Sequence, residues 1–310
     1  MILRIGTRGS RLALAQSLWV KKRIEAAHSD VSVELVTIKT TGDKILDSPL
    51  SRVGGKGLFV KEIEEALLTK RVDVAVHSVK DVPAELTEGL ALCDFPERED
   101  PSDALVSTRD RSVDELPVGA SVGTSSLRRS AQLLHRRPDL KMVPLRGNVE
   151  TRLRKLESGE VDAIVLAAAG LKRLGLGDVI SHVLPCEQVL PAVGQGALGL
   201  EVKRGDERTI DLLGLLNHEP TEIAIRAERS FLKRLEGGCQ VPVAGLARLD
   251  GDSVHLKGLV AELDGSRIVS DEITGNKRQA EEIGIRLAEG LLAAGADEIL
   301  ASIYGASERR

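Results

Sequence analysis

Two apolar runs do most to limit what this chain can fold into. Residues 72–78 (VDVAVHS) and residues 161–168 (VDAIVLAA) each read as a strand in which polar and apolar side chains hardly alternate. A strand of that kind is covered on both faces, as in a parallel sheet flanked by helices. Each run ends a longer echo: residues 65–76 and 154–165 share a helix, a charged turn, Val-Asp and a β run. Further upstream, Ile5-Gly6-Thr7 before a serine-bearing turn is matched by Val122-Gly123-Thr124. The echo predicts two related α/β lobes, each with a Gly-Thr turn feeding a helix N-terminus.

The remaining elements fit that frame. Residues 2–5 and 31–39 read as strands, and Ser10 as a helix cap. Leu12, Ala15, Leu18, Trp19 and Ala26 recur at helical spacing behind it. Residues 58–69, 127–135 and 149–158 read as helices. Residues 40–57 are polar and end in Gly54-Gly55-Lys56-Gly57, which reads as a mobile lid. A phosphate loop is not expected there, because the Walker spacing and the Ser or Thr after the lysine are missing.

A third region follows residue 217. A helix carrying Ile223, Ala224, Ala227, Phe231 and Leu235 stops at Gly237-Gly238. Three alternating segments, 241–249, 253–263 and 267–273, are separated by Asp250-Gly251 and Asp264-Gly265 as hairpin turns. A last helix covers about residues 277–294. The expectation is a small α+β domain with a three-stranded antiparallel sheet.

Composition narrows the function. At 310 residues the chain has room for two or three domains. The formal net charge is −4, so a basic site has to be a local cluster. Aromatic residues are 2%, too few for the stacking platforms of single-strand nucleic-acid binders. Cys93, Cys186 and Cys239 are odd in number and widely spaced, which argues against a disulfide framework or a structural zinc. The six histidines show no metal-ligand spacing, and no metal is expected. The N-terminal segment does not read as a signal peptide, and no long uncharged apolar stretch spans a membrane. A reducing cytoplasm is the expected compartment.

The arginines carry the chemistry. In Gly123-Thr124-Ser125-Ser126-Leu127-Arg128-Arg129, two arginines occupy the first turn of a helix, where the macrodipole disfavours cations. Such stacking makes sense where an anion binds the free N–H groups. Arg8 and Arg11 bracket Ser10 in the first lobe, and Arg146 and Arg152 flank Gly147-Asn148 at a third turn-to-helix junction. The guanidinium fork suits carboxylates or phosphates. The plain alternative is a solvated helix face with paired charges, the better reading for Arg136 and Arg137.

Two further motifs stand out. The strand at 74–78 runs out into His77-Ser78-Val79-Lys80-Asp81-Val82-Pro83, and ligands of open α/β sheets bind beyond such strand ends. Asp81 there either stabilises a developing positive charge or caps a turn beside Lys80. His77 reads as a hydrogen-bonded support. Cys239 follows two glycines on a loop between helix and strand, so it is reachable as a nucleophile or an attachment point. Cys93 and Cys186 read as buried small hydrophobes.

With the motifs VGGKGLFVKE, AVHSVKDVP, GTSSLRR, LRGNV and GGCQVP in this order, the chain resembles the porphobilinogen deaminases, or hydroxymethylbilane synthases. The resemblance runs over essentially the whole length and is looser in the last region outside GGCQVP. The family often has Lys where Arg52 stands, which keeps the charge. The resemblance implies two lobes like those of periplasmic binding proteins, with crossovers near residues 95–102 and 190–196, and a third domain. The expected division is 1–96 with 197–216, then 97–196, then 217–310. It implies a dipyrromethane cofactor joined to Cys239 through a thioether, with Asp81 as the catalytic residue. Cofactor and substrate carboxylates would fall to Ser10, Lys80, Thr124, Ser126, Arg8, Arg128, Arg129, Arg146, Arg152 and Arg173. Lys56 and Phe59 would belong to the lid beside the cofactor. The implied activity is transfer: four porphobilinogen molecules are deaminated and condensed head to tail on the primer, releasing hydroxymethylbilane. The implied protein is a cytoplasmic monomer that engages neither nucleic acid nor membrane. A two-lobed cytosolic binding or sensor module for a polycarboxylate is the competing reading.

Overall fold

The computed structural model describes residues 1–44, 60–109, 112–236 and 241–308. The chain divides into two compact units, Met1–Glu99 with Gly196–Glu222, and Asp100–Gln195 with Ile223–Arg310.

The first unit holds β1 (Ile2–Thr7), α1 (Arg11–Ala27), β2 (Ser32–Thr37), α2 (Thr41–Lys44), α3 (Lys61–Leu68), β3 (Val74–Ser78) and β4 (Leu90–Asp94). The second opens with β5 (Asp103–Ser107), β6 (Ser121–Gly123), α4 (Leu127–Arg136), β7 (Lys141–Val143), α5 (Val149–Glu157), β8 (Ala163–Ala167), α6 (Ala168–Arg173) and β9 (His182–Leu184). The chain then returns to the first unit as β10 (Leu198–Lys203) and α7 (Glu207–Leu213).

The strand order of the first sheet is β2-β1-β3-β10-β4 and that of the second β7-β6-β8-β5-β9. In each, three parallel strands are followed by an antiparallel fourth, and the fifth pairs antiparallel with that fourth. The lobes therefore share one topology, and the fourth strand of each is reached by a crossover. The register agrees to the residue. Gly6 pairs with Ala75, and Gly123 with Ile164. Asp73 accepts from the Arg4 backbone N–H at 2.8 Å, and Asp162 from that of Ser121 at 2.7 Å. The shared Val-Asp of the sequence is thus one structural device used twice: an Asp immediately before a strand ties down the strand beside it.

Local sequence explains most of the elements. Ser10 and Ser126 cap α1 and α4, their Oγ atoms accepting from the backbone N–H groups of Ala13 and Arg129. Asn148 caps α5 in the same way, through the N–H of Thr151 at 2.9 Å. One expected face is corrected. In α1 the buried residues are Gln16, Ser17, Val20 and Ile24, whereas Leu18 and Trp19 are exposed, with Arg23 stacked 5.2 Å from the Trp19 ring centroid. The sheet sets the helix rotation here: Ser78 Oγ receives a 3.0 Å hydrogen bond from Gln16 Nε2 and turns that polar residue inward.

The C-terminal region holds α8 (Glu219–Arg234), the antiparallel sheet of β11 (Val243–Asp250), β12 (Ser253–Ala261) and β13 (Ile268–Asn276), then α9 (Ala280–Leu291) and α10 (Asp297–Glu308). Gly251 and Gly265 take positive φ in the two hairpin turns, which glycine tolerates without steric cost. Phe231 of α8 is fully buried against this sheet, and a side chain at Gly258 would overlap its ring. The expected last helix is α9, and beyond Gly295, at φ 99, a further helix, α10, follows that the sequence reading did not include. Ala131, Cys186, Leu190, Ala244, Leu246 and Leu259 form one apolar cluster between α4, the segment after β9 and this sheet. That shared core explains why lobe 2 and the C-terminal sheet fall in one unit.

Candidate functional site

Parallel strands place their carboxyl ends along one edge of a sheet, and the expected site residues lie along that edge in each lobe. In lobe 1, Arg8, Ser10 and Arg11 follow β1, and Lys80 and Asp81 form a short 3-10 turn after β3. In lobe 2, Thr124, Ser126, Arg128 and Arg129 follow β6, Arg146 and Arg152 follow β7, and Arg173 ends α6 after β8. Lys56, Phe59 and Cys239, with the expected lid, lie outside the described residues.

In lobe 1, Asp81 is exposed and makes no ion pair among the described residues, so the turn-capping pair with Lys80 is not what holds it. Arg8, Ser10 and Lys80 are half-buried. Beneath them His77 Nε2 lies 2.9 Å from Glu201 Oε2, both side chains sealed in the lobe, the support expected of this histidine.

In lobe 2 the first turn of α4 is unlike a solvated face. Arg128 and Arg129 are 5% and 6% exposed, too deep for surface cations. Arg129 grips Asp103 Oδ1 through Nε at 2.9 Å and Nη2 at 2.6 Å, and donates from Nη1 to the Val165 carbonyl at 3.0 Å. Arg128 Nη1 approaches Asp103 Oδ2 at 2.8 Å but aims its N–H at the Leu190 carbonyl, 2.7 Å away. Its Nε is buried without a hydrogen-bond partner among the described residues. Burial by itself would push the Asp103 carboxyl up; the charges of Arg128 and Arg129 outweigh it and hold the group well below the ordinary carboxylate range. Burial also draws Arg128 downward, against the pull of Asp103.

The remaining lobe 2 groups sit at the ends of β6 and β7 and on the helices that follow. Thr124 is buried, its Oγ1 accepting from the Ser126 N–H at 3.2 Å. Arg152 Nε donates to the Gly147 carbonyl at 2.9 Å. Gly147 has φ +105, and a Cβ there would sit 2.6 Å from Thr151, so this junction accepts only glycine. Arg146 is half-buried, with no hydrogen bond or ion pair among the described residues. Arg136 and Arg137 pair with Asp114 and Asp139, which keeps them out of the site.

The sequence called for an anion near Arg128 and Arg129, and the first one found is internal. Asp103 and its partner Gln195, whose Nε2 donates at 2.9 Å, were not singled out. The available signal was an acid opening a short apolar strand, which is common at turns and carries little on its own. The two lobe sites also differ more than the echo suggests. Aligned on their caps, Arg128 and Arg129 correspond to Leu12 and Ala13, so Arg8 and Arg11 are not their counterparts.

Fold and edge together define a duplicated α/β protein with guanidinium groups gathered at the carboxyl ends of its parallel strands. Two family models cover it: "Porphobilinogen deaminase, dipyromethane cofactor binding domain" over residues 3–211 and "Porphobilinogen deaminase, C-terminal domain" over residues 223–293. The chain belongs to the porphobilinogen deaminase family. Proteins named porphobilinogen deaminase from Syntrophotalea carbinolica and Geobacter metallireducens are 58% and 57% identical to it, each over 97% of this chain and 96% and 95% of their own. That of Nitratidesulfovibrio vulgaris is 57% identical over 98% of both chains. Among solved structures, the methionine-binding protein MetQ aligns with 69% of this chain and 89% of its own, at 15% identity and a TM-score of 0.46. At that level the strand orders, not the alignment, define the fold. No helix among the described residues is long and apolar enough to cross a membrane.

Proposed function

We propose that this chain deaminates four porphobilinogen molecules and condenses them head to tail on a dipyrromethane held through a thioether to Cys239, releasing hydroxymethylbilane. What carries the reading is Asp81: an exposed carboxylate at the carboxyl end of β3, not neutralised by an ion pair among the described residues, in a chain of this family. The charge left over in lobe 2, two buried guanidiniums against one carboxylate, fits a cofactor that carries carboxylates.

When bound, the dipyrromethane supplies a nucleophilic ring carbon at its free end. Porphobilinogen reacts at its aminomethyl carbon: the C–N bond breaks, ammonia leaves, and the pyrrole carries the resulting positive charge. Asp81 stabilises that charge from a fixed position, which requires no reorganisation at the moment of reaction. Arg8, Arg128, Arg129, Arg146, Arg152 and Arg173, with Ser10, Lys80, Thr124 and Ser126, hold the acidic side chains of cofactor and growing product. Lys56 and Phe59, outside the described residues, are assigned to substrate binding. The three sheets are read as three domains, 1–96 with 197–216, 97–196 and 217–310. The protein is read as a cytoplasmic monomer without nucleic-acid or membrane partners.

The test is the intact mass of the purified chain, followed by porphobilinogen turnover. A mass above the bare chain by one dipyrromethane, lost in Cys239→Ala, is expected, with one ammonia released per porphobilinogen consumed. A bare wild-type mass would remove the cofactor claim. Tight porphobilinogen binding without ammonia would turn the reading to a binding module.

A further inference from the structure

The two lobes correspond strand by strand, and three neighbouring positions break the match. Leu198 pairs with Ser78, the last residue of β3; Asp103 pairs with Ala167, the last residue of β8. The N–H groups that follow confirm the equivalence: Val79 donates to the Ala197 carbonyl at 3.1 Å and Ala168 to that of Ser102 at 3.0 Å. Ser10 and Ser126 align the helices, so the apolar trio Leu12, Ala13 and Leu198 of lobe 1 becomes Arg128, Arg129 and Asp103 in lobe 2.

One topology thus carries two chemistries at these three positions. The lobe 1 version shows that the fold needs no charge there, and buried ion networks are often replaced by packed apolar residues without loss of stability. The lobe 2 version is costly and incomplete. Three buried charges sum to one positive charge, and Arg128 Nε has no hydrogen-bond partner among the described residues. Gln195 further fixes Asp103, bridging it at 2.9 Å and the Pro101 carbonyl at 2.7 Å.

We infer that Asp103 is a positioning residue for ligand binding: it aligns the two guanidiniums and cancels one of their charges, leaving one for a carboxylate of the bound pyrrole. The inference rests on the proposed function and adds to it a residue outside the expected site. It makes the charged trio dispensable for folding and required for loading.

Three variants purified alongside wild type test this by intact mass, circular dichroism and thermal unfolding. Asp103→Asn keeps the shape and removes the charge; it should fold, with the fraction of chains bearing the pyrrole adduct reduced about tenfold or more. Asp103→Glu should recover part of that fraction. The triple variant Arg128→Leu, Arg129→Ala, Asp103→Leu reproduces the lobe 1 corner and should fold without adduct. Full loading of folded Asp103→Asn, or of the folded triple variant, overturns the inference, as does a triple variant that cannot fold. A wild type without adduct would instead sink the proposed function itself, so the two failures are distinguishable.

Discussion

His77 and Glu201 meet 2.9 Å apart across β3 and β10, with 5% and 1% of their side chains exposed. The pair locks the two strands just before the turn that presents Asp81. Glu201 Oε1 has no hydrogen-bond partner among the described residues, so the carboxylate depends on the histidine. Removing the histidine leaves the buried Glu201 side chain with no hydrogen bond among the described residues. His77→Ala should therefore lower stability by about 2–3 kcal/mol. Glu201→Gln, which keeps shape and a hydrogen bond, should cost about 1 kcal/mol. Urea unfolding of both variants checks the asymmetry; equal midpoints would show that the pair is not what holds the strands.

The two Gly-Thr strand ends make unequal demands on their glycines. A Cβ on Gly123 would lie 2.9 Å from Leu145 Cδ2 and 3.1 Å from Ile164 Cγ2; on Gly6 the nearest atom is Val72 Cγ2 at 3.0 Å. Overpacking a buried corner costs roughly 1–3 kcal/mol. Gly123→Ala should reach that range and exceed Gly6→Ala, and Leu145→Val should recover part of the loss. Thermal unfolding of the three variants decides it: a Gly123→Ala protein as stable as wild type would mean that the turn has room the structure does not show.

Asp94 gives a pH dependence of defined sign. Burial pushes its carboxyl up, the Cys93 thiol opposes through a hydrogen bond, and the charge of Glu222 adds to the rise. The folded state therefore favours protonated Asp94, and near neutral pH the ionised group costs stability. Asp94→Asn should stabilise the protein at pH 7 by roughly 1 kcal/mol. The gain should shrink as pH falls and vanish below about 3.9, the ordinary carboxylate value, where the group is protonated folded or unfolded. Denaturant titrations at several pH values would expose a constant or inverted difference.

What the sequence showed and what it hid follow from the range of the interactions. The apolar runs around Val74 and Ile164, the cap Ser10, and the turn glycines Gly251 and Gly265 are local, so periodicity and turn chemistry reveal them. The inward turn of Gln16 in α1 depends on Ser78, 62 residues away, and periodicity misplaces Trp19 as a result. The same holds at the site. Motif spacing puts the arginines at a strand edge, but which guanidinium meets which acid is set by β5, entering from elsewhere in the chain to place Asp103 under α4. A crossover of that kind leaves no local trace.

Arg146 and Asp81 should separate binding from chemistry. Arg146 is half-buried and makes no hydrogen bond or ion pair among the described residues, so its loss should leave thermal stability unchanged. If it holds a pyrrole carboxylate throughout the reaction, Arg146→Gln removes a charge-assisted hydrogen bond of about 1.5–3 kcal/mol from ground and transition states alike. KM should rise by about 10–100-fold, with kcat little altered. Asp81 acts on charge that develops only during reaction, so Asp81→Asn should lower kcat by about 100-fold or more at nearly constant KM. Steady-state kinetics at fixed ionic strength reads both. Should Asp81→Asn raise KM and spare kcat, the carboxylate belongs to binding, and the stabilisation of positive charge has to come from another group.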